Sequence, residues 1–257
     1  MTHPWFQASA APRVLAHRGL VPHDAEGVAE NTLAAFAAAH AAGATYVESD
    51  CHLTADGEVI LFHDDDLLRV AGDPRRVAEV GLRELQTIMG TRGGLLTLAE
   101  ALDSFPTLRF NLDVKVEAAA IPAGRAVAAH AERVLLTSFS DERRRTALQS
   151  AAEAGGSPAT SGGTRTIARV LGALASRSDR LARRALAGVD ALQVPERHRG
   201  VRVVTRRFLD AAHRAGVEVH VWTVNDADDM RRLLGMGVDG LVTDRADTAL
   251  DVLAGRP

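Results

Sequence analysis

Residues 46–66 read YVESDCHLTADGEVILFHDDD. Two β-like runs, TYVESD at 45–50 and EVILFH at 58–63, lie on either side of the turn residues Thr54-Ala55-Asp56-Gly57. An Asp-Gly pair between two such runs predicts a β-hairpin. The second run then returns antiparallel beside the first, so only one of the two counts in a set of parallel strands.

The rest of the chain alternates between β-like runs and helical stretches that are rich in Ala, Leu and Arg. Nine β-like runs occur, at 13–17, 45–50, 58–63, 109–115, 133–139, 157–162, 190–195, 217–225 and 240–244. With the hairpin counted once, eight β/α units are left, which predicts an α/β fold of the (β/α)8 TIM-barrel type. A doubly wound open sheet is the alternative, but residues 17–27 (HRGLVPHDAEG) lack its Gly-x-Gly-x-x-Gly turn.

The 257 residues are predicted to form a single domain, 1–257, in which 64–96 are a small insertion after the hairpin. Asn31 or Thr32 is expected to cap the first helix, and the longest helical stretch covers 164–188. No stretch rich in Pro, Gly or Ser is long enough to separate two domains.

The bulk composition excludes several classes of function. The 30 basic and 33 acidic residues are well mixed and give a net charge of −3, so nucleic acid is not an expected partner. The N-terminal residues do not resemble a signal peptide, and no run of apolar residues is long enough for stable membrane insertion. We therefore expect a cytoplasmic protein, and the sequence leaves its oligomeric state open, a homo-oligomer included.

Carboxylates recur on one face of two predicted strands. Glu48 and Asp50 are two residues apart and share a face, as do Asn111, Asp113 and Lys115 in the run RFNLDVK. Buried acids without partners cost several kcal/mol each, so a counter-charge is required. A divalent cation, Mg²⁺ or Ca²⁺, held by Glu48, Asp50 and Asp113 meets that need. Ion pairs with neighbouring Arg or Lys are the alternative.

A histidine and an arginine, His17 and Arg18, follow the first predicted strand, and Gly19 permits a sharp turn. An arginine fork can bind phosphate oxygens, and a histidine can transfer protons near neutral pH. The predicted hairpin places His63 opposite residue 49 or 50, beside the acids. The other histidines are interpreted as structural or solvated, with His52 the least certain because it shares a face with Asp50.

These motifs together resemble the glycerophosphodiester phosphodiesterase family, and the resemblance spans nearly the whole chain in the same order. The residues that carry it are HRG (17–19), ENTLAAF (30–36), VESDCHLTADGEVILFHD (47–64), NLDVK (111–115), VWTVND (221–226) and GVDGLVTDRAD (237–247). The resemblance implies a TIM barrel with a short insertion after the hairpin histidine. It also implies a small-molecule glycerophosphodiester as the substrate.

Residue roles follow from the same resemblance. His17 and His63 are similar to the acid/base pair, with His17 the base and His63 the acid. Glu48, Asp50 and Asp113 are similar to the ligands of Ca²⁺ or Mg²⁺, although many relatives carry Glu where this chain has the shorter Asp113. Arg18 and Lys115 are similar to the phosphate contacts. Trp222 is expected over the glycerol or its alcohol substituent, with packing in the barrel core as the alternative, and Glu30 and Asn31 are expected near the mouth.

The implied reaction is metal-dependent hydrolysis of a glycerophosphodiester to sn-glycerol 3-phosphate and an alcohol. Either water or the glycerol 2-hydroxyl can be the nucleophile. One alternative is a lysophospholipase D or sphingomyelinase D-like phosphodiesterase on the same barrel. The lack of an exposed apolar lip in 64–96 argues against it. The other is a barrel that binds a phosphate ligand without catalysis.

Overall fold

Eight parallel strands close into a barrel in the computed structural model, which describes residues 3–8, 11–22 and 26–255. Within these residues the strands are β1 (Arg13–His17), β2 (Tyr46–Leu53), β3 (Val59–Leu61), β4 (Arg109–Val114), β5 (Val134–Thr137), β6 (Ala159–Gly162), β7 (Ala191–Pro195), β8 (Arg197–His198), β9 (Val201–Arg202), β10 (Glu218–Trp222) and β11 (Gly240–Thr243).

The helices lie between successive barrel strands and on the outside of the barrel. They are α1 (Leu33–Ala41), α2 (Leu68–Ala71), α3 (Leu82–Met89), α4 (Leu98–Ser104), α5 (Ala120–Val127), α6 (Asp141–Glu153), α7 (Thr164–Ala175), α8 (Asp179–Leu186), α9 (Arg206–Arg214), α10 (Ala227–Gly235) and α11 (Ala246–Leu253). Short 3₁₀ helices cover Pro4–Gln7, Val77–Glu79, Gly90–Arg92, Glu117–Ala119 and Ala128–Arg133.

The strand order confirms the predicted (β/α)8 barrel. The parallel strands run β1-β2-β4-β5-β6-β7-β10-β11, and β11 pairs again with β1 through Leu15 and Val242. Apolar side chains that point away from the lumen pack against the helices. The open-sheet alternative is wrong, because the sheet closes on itself.

The predicted hairpin is also confirmed. β2 and β3 pair antiparallel, with Cys51 opposite Leu61, and the amide of Phe62 donates to the carbonyl of Asp50 at 2.9 Å. In the turn, Gly57 has a φ of +88°, which glycine adopts readily. This register carries the next residue, His63, back to the carboxyl end of β2.

Residues 64–96 pack through an apolar cluster of their own against the hairpin. Its buried members are Ile60, Phe62, Leu67, Val77, Val80, Leu85, Met89 and Leu95. The excursion thus lies beside the carboxyl end of β2 and covers one flank of the barrel mouth. The single-domain assignment for 1–257 stays a prediction, and its ends (1–2 and 256–257) lie outside the described residues.

The opposite end of the barrel is closed by a feature that the sequence did not predict. The 3₁₀ helix Pro4–Gln7 inserts Trp5, which is fully buried and donates from Nε1 to the carbonyl oxygen of Phe110 at 2.9 Å. Its ring packs edge-on against Tyr46 at 4.7 Å. Trp5 therefore fills the lumen at its amino end, and the cavity that the described residues form lies at the carboxyl end.

One helical prediction is wrong. The stretch 164–188 forms two helices, α7 and α8, with a break at Arg177, whose φ is +54°. Ser178 then caps α8 by accepting a hydrogen bond from the amide of Leu181 at 3.3 Å. A serine that offers its hydroxyl to the backbone favours a new helix start over continuation of the old helix.

Candidate active site

A cavity of about 410 Å³ opens at the carboxyl ends of the barrel strands, where active sites of this fold occur. All eight side chains that the sequence singled out line it: His17, Arg18, Glu48, Asp50, His63, Asp113, Lys115 and Trp222. The structure therefore brings the predicted site residues together, while their individual roles stay predictions.

The three acids meet because of strand register. Glu48 is beside Asn111, and Asp50 is beside Asp113, on the neighbouring strands β2 and β4. All three acids are almost fully buried. Burial, together with the negative charge of Asp50, raises the pKa of Glu48 to about 8. Burial also raises the pKa of Asp113, although Lys115 opposes that rise.

Lys115 supplies the counter-charge in this structure. Its Nζ lies 2.8 Å from Oδ1 of Asp50 and 2.7 Å from Oδ2 of Asp113. Burial lowers the pKa of Lys115, but the charges of the two aspartates outweigh this effect and hold it above its usual value. Asp50 and Asp113 therefore form ion pairs with Lys115, which is the alternative to a metal site that the sequence left open.

The acids also suit a divalent cation. Among the described residues no three His, Cys, Asp or Glu side chains form a ready-made cage. However, Oε2 of Glu48 and Oδ1 of Asp113 are buried without a hydrogen-bond partner. Hard carboxylate oxygens in this state are what Mg²⁺ or Ca²⁺ binds, and a bound cation would offset their cost of burial.

His17 ends β1 between two carboxylates. Its Nδ1 lies 2.6 Å from Oδ1 of Asp244, and its Nε2 lies 3.8 Å from Oε2 of Glu48. Burial lowers the pKa of His17, but the hydrogen bond to Asp244 and the charge of Glu48 outweigh it, so the pKa is raised. Sequence reasoning assigned no role to Asp244, although it ends the strand motif GLVTD.

The turn after His17 explains the glycine in HRG. Arg18 has a φ of +58° and Gly19 a φ of +89°, both in the left-handed region. A Cβ at Gly19 would lie 2.8 Å from the backbone of Ala35, so a larger residue would clash with the first helix. Glycine here lets α1 pack close to the mouth and turns Arg18 toward the acids, with Nε 3.4 Å from Asp50.

His63, like His17, has a carboxylate at its Nδ1 atom. Its Nδ1 lies 2.6 Å from Oδ1 of Asp64, whose Oδ2 accepts from Nε of Arg69 at 2.6 Å. Arg69 also reaches Oε1 of Glu30 at 2.5 Å, and that same oxygen accepts from Arg18 at 2.8 Å. A chain of charges therefore links His63 to the predicted phosphate arginine. Sequence reasoning missed Asp64 and Arg69.

Asn31 and His52 have structural contacts near the site. Asn31 accepts from Ser49 at 2.7 Å and donates to Oδ2 of Asp50 at 3.3 Å, so it orients that acid. The helix cap belongs to Thr32, which accepts from the amide of Ala35 at 3.2 Å. His52 does not line the cavity, and its Nε2 lies 3.1 Å from the carbonyl oxygen of His63.

Comparison with known proteins identifies the family of the chain. The model of the glycerophosphoryl diester phosphodiesterase family matches residues 17–248. The chain belongs to this family. It is 35% identical over 246 residues, 94% of this chain and 90% of the relative, to a Mycobacterium tuberculosis protein described as a probable glycerophosphodiester phosphodiesterase 2.

Solved structures of phosphodiesterases share the fold. A glycerophosphodiester phosphodiesterase of Thermotoga maritima superposes with a TM-score of 0.67 at 26% identity, covering 94% of this chain and 97% of that chain. An Oleispira antarctica phosphodiesterase, in complex with the product sn-glycerol-3-phosphate, gives a TM-score of 0.71 at 22% identity, covering 95% and 97%. The family match and the 35% identical relative show that the protein is an enzyme of the glycerophosphodiester phosphodiesterase type.

The phosphodiesterase site has an aromatic edge as well as a charged one. The ring of Trp222 is 5.8 Å from that of Phe139, edge to face, and Nζ of Lys115 lies 5.5 Å from the Phe139 ring. Trp222 is half-buried and lines the cavity, and it also packs against the buried cluster in the barrel lumen that includes Leu135 and Val242, so it has both a cavity face and a core contact. No helix in the described ranges has the length and apolar character needed to span a bilayer.

Proposed function

We propose that the protein hydrolyses glycerophosphodiesters to sn-glycerol 3-phosphate and an alcohol, with His17 and His63 as the acid/base pair and a divalent cation as cofactor. The observation that carries the proposal is the pairing of each histidine with a carboxylate at Nδ1. Each pairing favours the tautomer that leaves Nε2 for proton transfer. The product complex of the Oleispira antarctica relative supports the choice of substrate.

In the proposed reaction, His17 takes a proton from the nucleophile as its oxygen forms a bond to phosphorus. The bond from phosphorus to the alcohol oxygen breaks, and His63 gives that oxygen a proton. With water as the nucleophile, one water is consumed and both histidines return to their first state after exchange with solvent. With the glycerol 2-hydroxyl, a cyclic phosphate forms first and water then opens it.

The charged residues are proposed to stabilise the transition state. Arg18 and Lys115 supply positive charge to the non-bridging phosphate oxygens. Glu48, Asp50 and Asp113 would hold Mg²⁺ or Ca²⁺, which when bound supplies further positive charge for the phosphate. Trp222 is proposed to contact the glycerol or its substituent. We also propose that the protein is located in the cytoplasm.

A product assay tests the proposal. The protein is incubated with glycerophosphodiesters of choline, ethanolamine, glycerol and inositol, each with Mg²⁺, Ca²⁺ or a chelator, and the products are identified by ³¹P NMR. We expect sn-glycerol 3-phosphate with at least one substrate and cation, and loss of turnover with the chelator. No hydrolysis of any substrate would refute the enzyme function, and full activity with chelator would refute the cofactor.

A further inference from the structure

A row of hydrogen-bonded side chains runs through the barrel lumen from its floor to the cavity. It begins at Glu218, at the start of β10, which pairs with Arg13 through two hydrogen bonds of 2.8 Å. It continues through His220 and Gln193 and ends at Asn111 on β4. Gln193 and Asn111 line the cavity. These four residues, Glu218, His220, Gln193 and Asn111, are named the lumen network below.

Each member of the lumen network fixes the orientation of the next. Burial raises the pKa of Glu218, but hydrogen bonds from Arg13 and His220 lower it to about 2, so this carboxylate is ionised and can only accept. Nε2 of His220, 3.1 Å from Oε2 of Glu218, therefore carries the hydrogen. Nδ1 of the neutral ring then accepts from Nε2 of Gln193 at 3.4 Å. The other end of that amide, Oε1, accepts from Nδ2 of Asn111 at 3.3 Å, which leaves Oδ1 of Asn111 as the last atom of the network.

Packing holds the His220 ring as well. The ring is fully buried, and the ring of Trp5 lies 5.9 Å from it. A Cβ on Gly240 would lie 2.7 Å from Cδ2 of His220, so glycine on β11 leaves the space that the imidazole occupies. The two amides of Gln193 and Asn111 are therefore oriented from a fixed base.

The last atom of the lumen network needs a partner. Asn111 is 2% exposed, and within the described ranges its Oδ1 is buried without a hydrogen-bond donor. Strand register places Asn111 beside Glu48, whose Oε2 is unpaired in the same way, and two residues before Asp113 on the same face of β4. Leaving such an oxygen unpaired in the interior is costly. Neighbouring buried oxygens without donors are suited to a cation.

We propose that Asn111 is a fourth, uncharged ligand of the divalent cation through Oδ1, and that the other members of the lumen network orient it for this role. This inference rests on the proposed function and adds a residue to its cofactor site. The oxygens of asparagine amides are among the ligands that Ca²⁺ takes.

The charges of the site favour a neutral fourth ligand. Lys115, which pairs with Asp50 and Asp113, and a divalent cation together balance the three carboxylates. A fourth carboxylate would leave a net negative charge buried, whereas an amide oxygen adds a ligand without adding charge. Gln193 is in this account a positioning residue, since it reaches the cation only through Asn111.

Cation binding without substrate tests the inference. Isothermal titration calorimetry with Ca²⁺ and with Mg²⁺ compares wild type, Asn111→Leu and Gln193→Met. Leucine and methionine are close in size to the amides that they replace but offer no oxygen and no hydrogen bond. We expect a Kd about tenfold or more weaker in Asn111→Leu. Gln193→Met should also weaken binding, by about tenfold, because the Asn111 amide is then no longer oriented.

Ser161→Ala is the matched control. Ser161 is fully buried on β6, its Oγ also has no partner in the part of the chain that the structure describes, and it does not line the cavity. The Kd of this variant should equal that of wild type. Melting temperatures establish that each variant is folded, and Asn111→Ala replaces Asn111→Leu if the leucine variant does not fold.

The outcomes separate this inference from the proposed function. A wild-type Kd in the folded Asn111 variant would overturn the inference and leave the proposed cofactor intact. If KM for the substrate were raised at that unchanged Kd, Asn111 would contact the substrate and not the cation. An equal loss of affinity in Ser161→Ala would also overturn the inference. No binding of either cation by wild type would refute the proposed cofactor and the inference together.

Discussion

Oδ1 of Asp244 lies 2.6 Å from Nδ1 of His17, where the last strand of the barrel meets the first. Asn225 fixes this carboxylate by donating to its Oδ2 at 2.7 Å and by accepting from the Asp244 amide at 2.9 Å. The histidine proposed as base is therefore oriented by residues more than two hundred positions away in the chain.

Asp244→Asn should lower kcat about tenfold to a hundredfold with little change in KM, because an amide no longer fixes the imidazole tautomer. Steady-state kinetics on the best substrate measure both constants. Asp247→Asn is the matched control, since Asp247 pairs with Arg245 on the surface at 3.1 Å. Equal kcat in wild type and Asp244→Asn would show that Asp244 does not position His17.

Glu30→Gln should reduce kcat/KM by about tenfold, because one carboxylate oxygen of Glu30 holds both Arg18 and Arg69. Loss of the charge loosens the phosphate arginine and, through Asp64, the His63 ring. The exposed Glu26 provides the control variant Glu26→Gln. Wild-type kcat/KM in Glu30→Gln would mean that this charge network does not support the site.

Binding of a cation should be visible without any turnover. At about a hundred times its Kd, Mg²⁺ or Ca²⁺ is expected to stabilise the wild type by about 2.7 kcal/mol and raise Tm by roughly 5 °C. Glu48→Gln should lose most of this shift. Without the cation, the Glu48→Gln protein should be at least as stable as wild type. Burial disfavours the ionised form of Glu48 and raises its pKa to about 8, whereas a glutamine carries no charge to bury.

The exposed Glu132 gives the control Glu132→Gln, which should keep the full cation shift. Differential scanning fluorimetry with and without each cation measures the shifts. An identical shift in wild type and Glu48→Gln would remove Glu48 from the ligand set.

Stability at acid pH should depend on Glu218. Burial raises the pKa of Glu218, but hydrogen bonds from Arg13 and His220 outweigh it and lower the pKa to about 2. Because the pKa of Glu218 is lower in the folded than in the unfolded protein, its ionised carboxylate stabilises the fold. This stability is fully present above pH 4.5, the ordinary pKa of a glutamate, and is lost as the pH falls toward 2. Between these pH values the free energy of unfolding should fall by about 2 kcal/mol more in wild type than in Glu218→Gln. The free energy of unfolding is measured by chemical denaturation of both proteins at several pH values between 2 and 4.5. An equal fall in wild type and Glu218→Gln would contradict this assignment.

Local pattern was enough to predict much of the fold. The Asp-Gly turn, the alternation of strands and helices, and the shared face of Glu48 and Asp50 all follow from residues close in sequence. The same two-residue periodicity put Asp113 and Lys115 into the cavity. These predictions succeed because backbone geometry fixes which way neighbouring side chains point.

Features that depend on tertiary contacts were missed. Asp244 meets His17, and Arg69 meets Glu30, only after the barrel closes and the 64–96 excursion folds back. Trp5 closes the barrel floor through a contact with Phe110, which no local motif predicts. The break at Arg177 was missed because composition across 164–188 favours a helix throughout, and a single left-handed residue leaves little trace in composition.

The central claim is that His17 and His63 act as a catalytic pair, and turnover of His17→Ala and His63→Ala tests it most directly. His213→Ala is the matched control, since His213 also bonds a carboxylate, Asp239, at 2.7 Å but lies outside the cavity. With melting temperatures checked for all three variants, His17→Ala and His63→Ala should each lose about 10²- to 10⁴-fold in kcat, whereas His213→Ala keeps it. Wild-type kcat in a folded His17→Ala or His63→Ala protein would contradict the account.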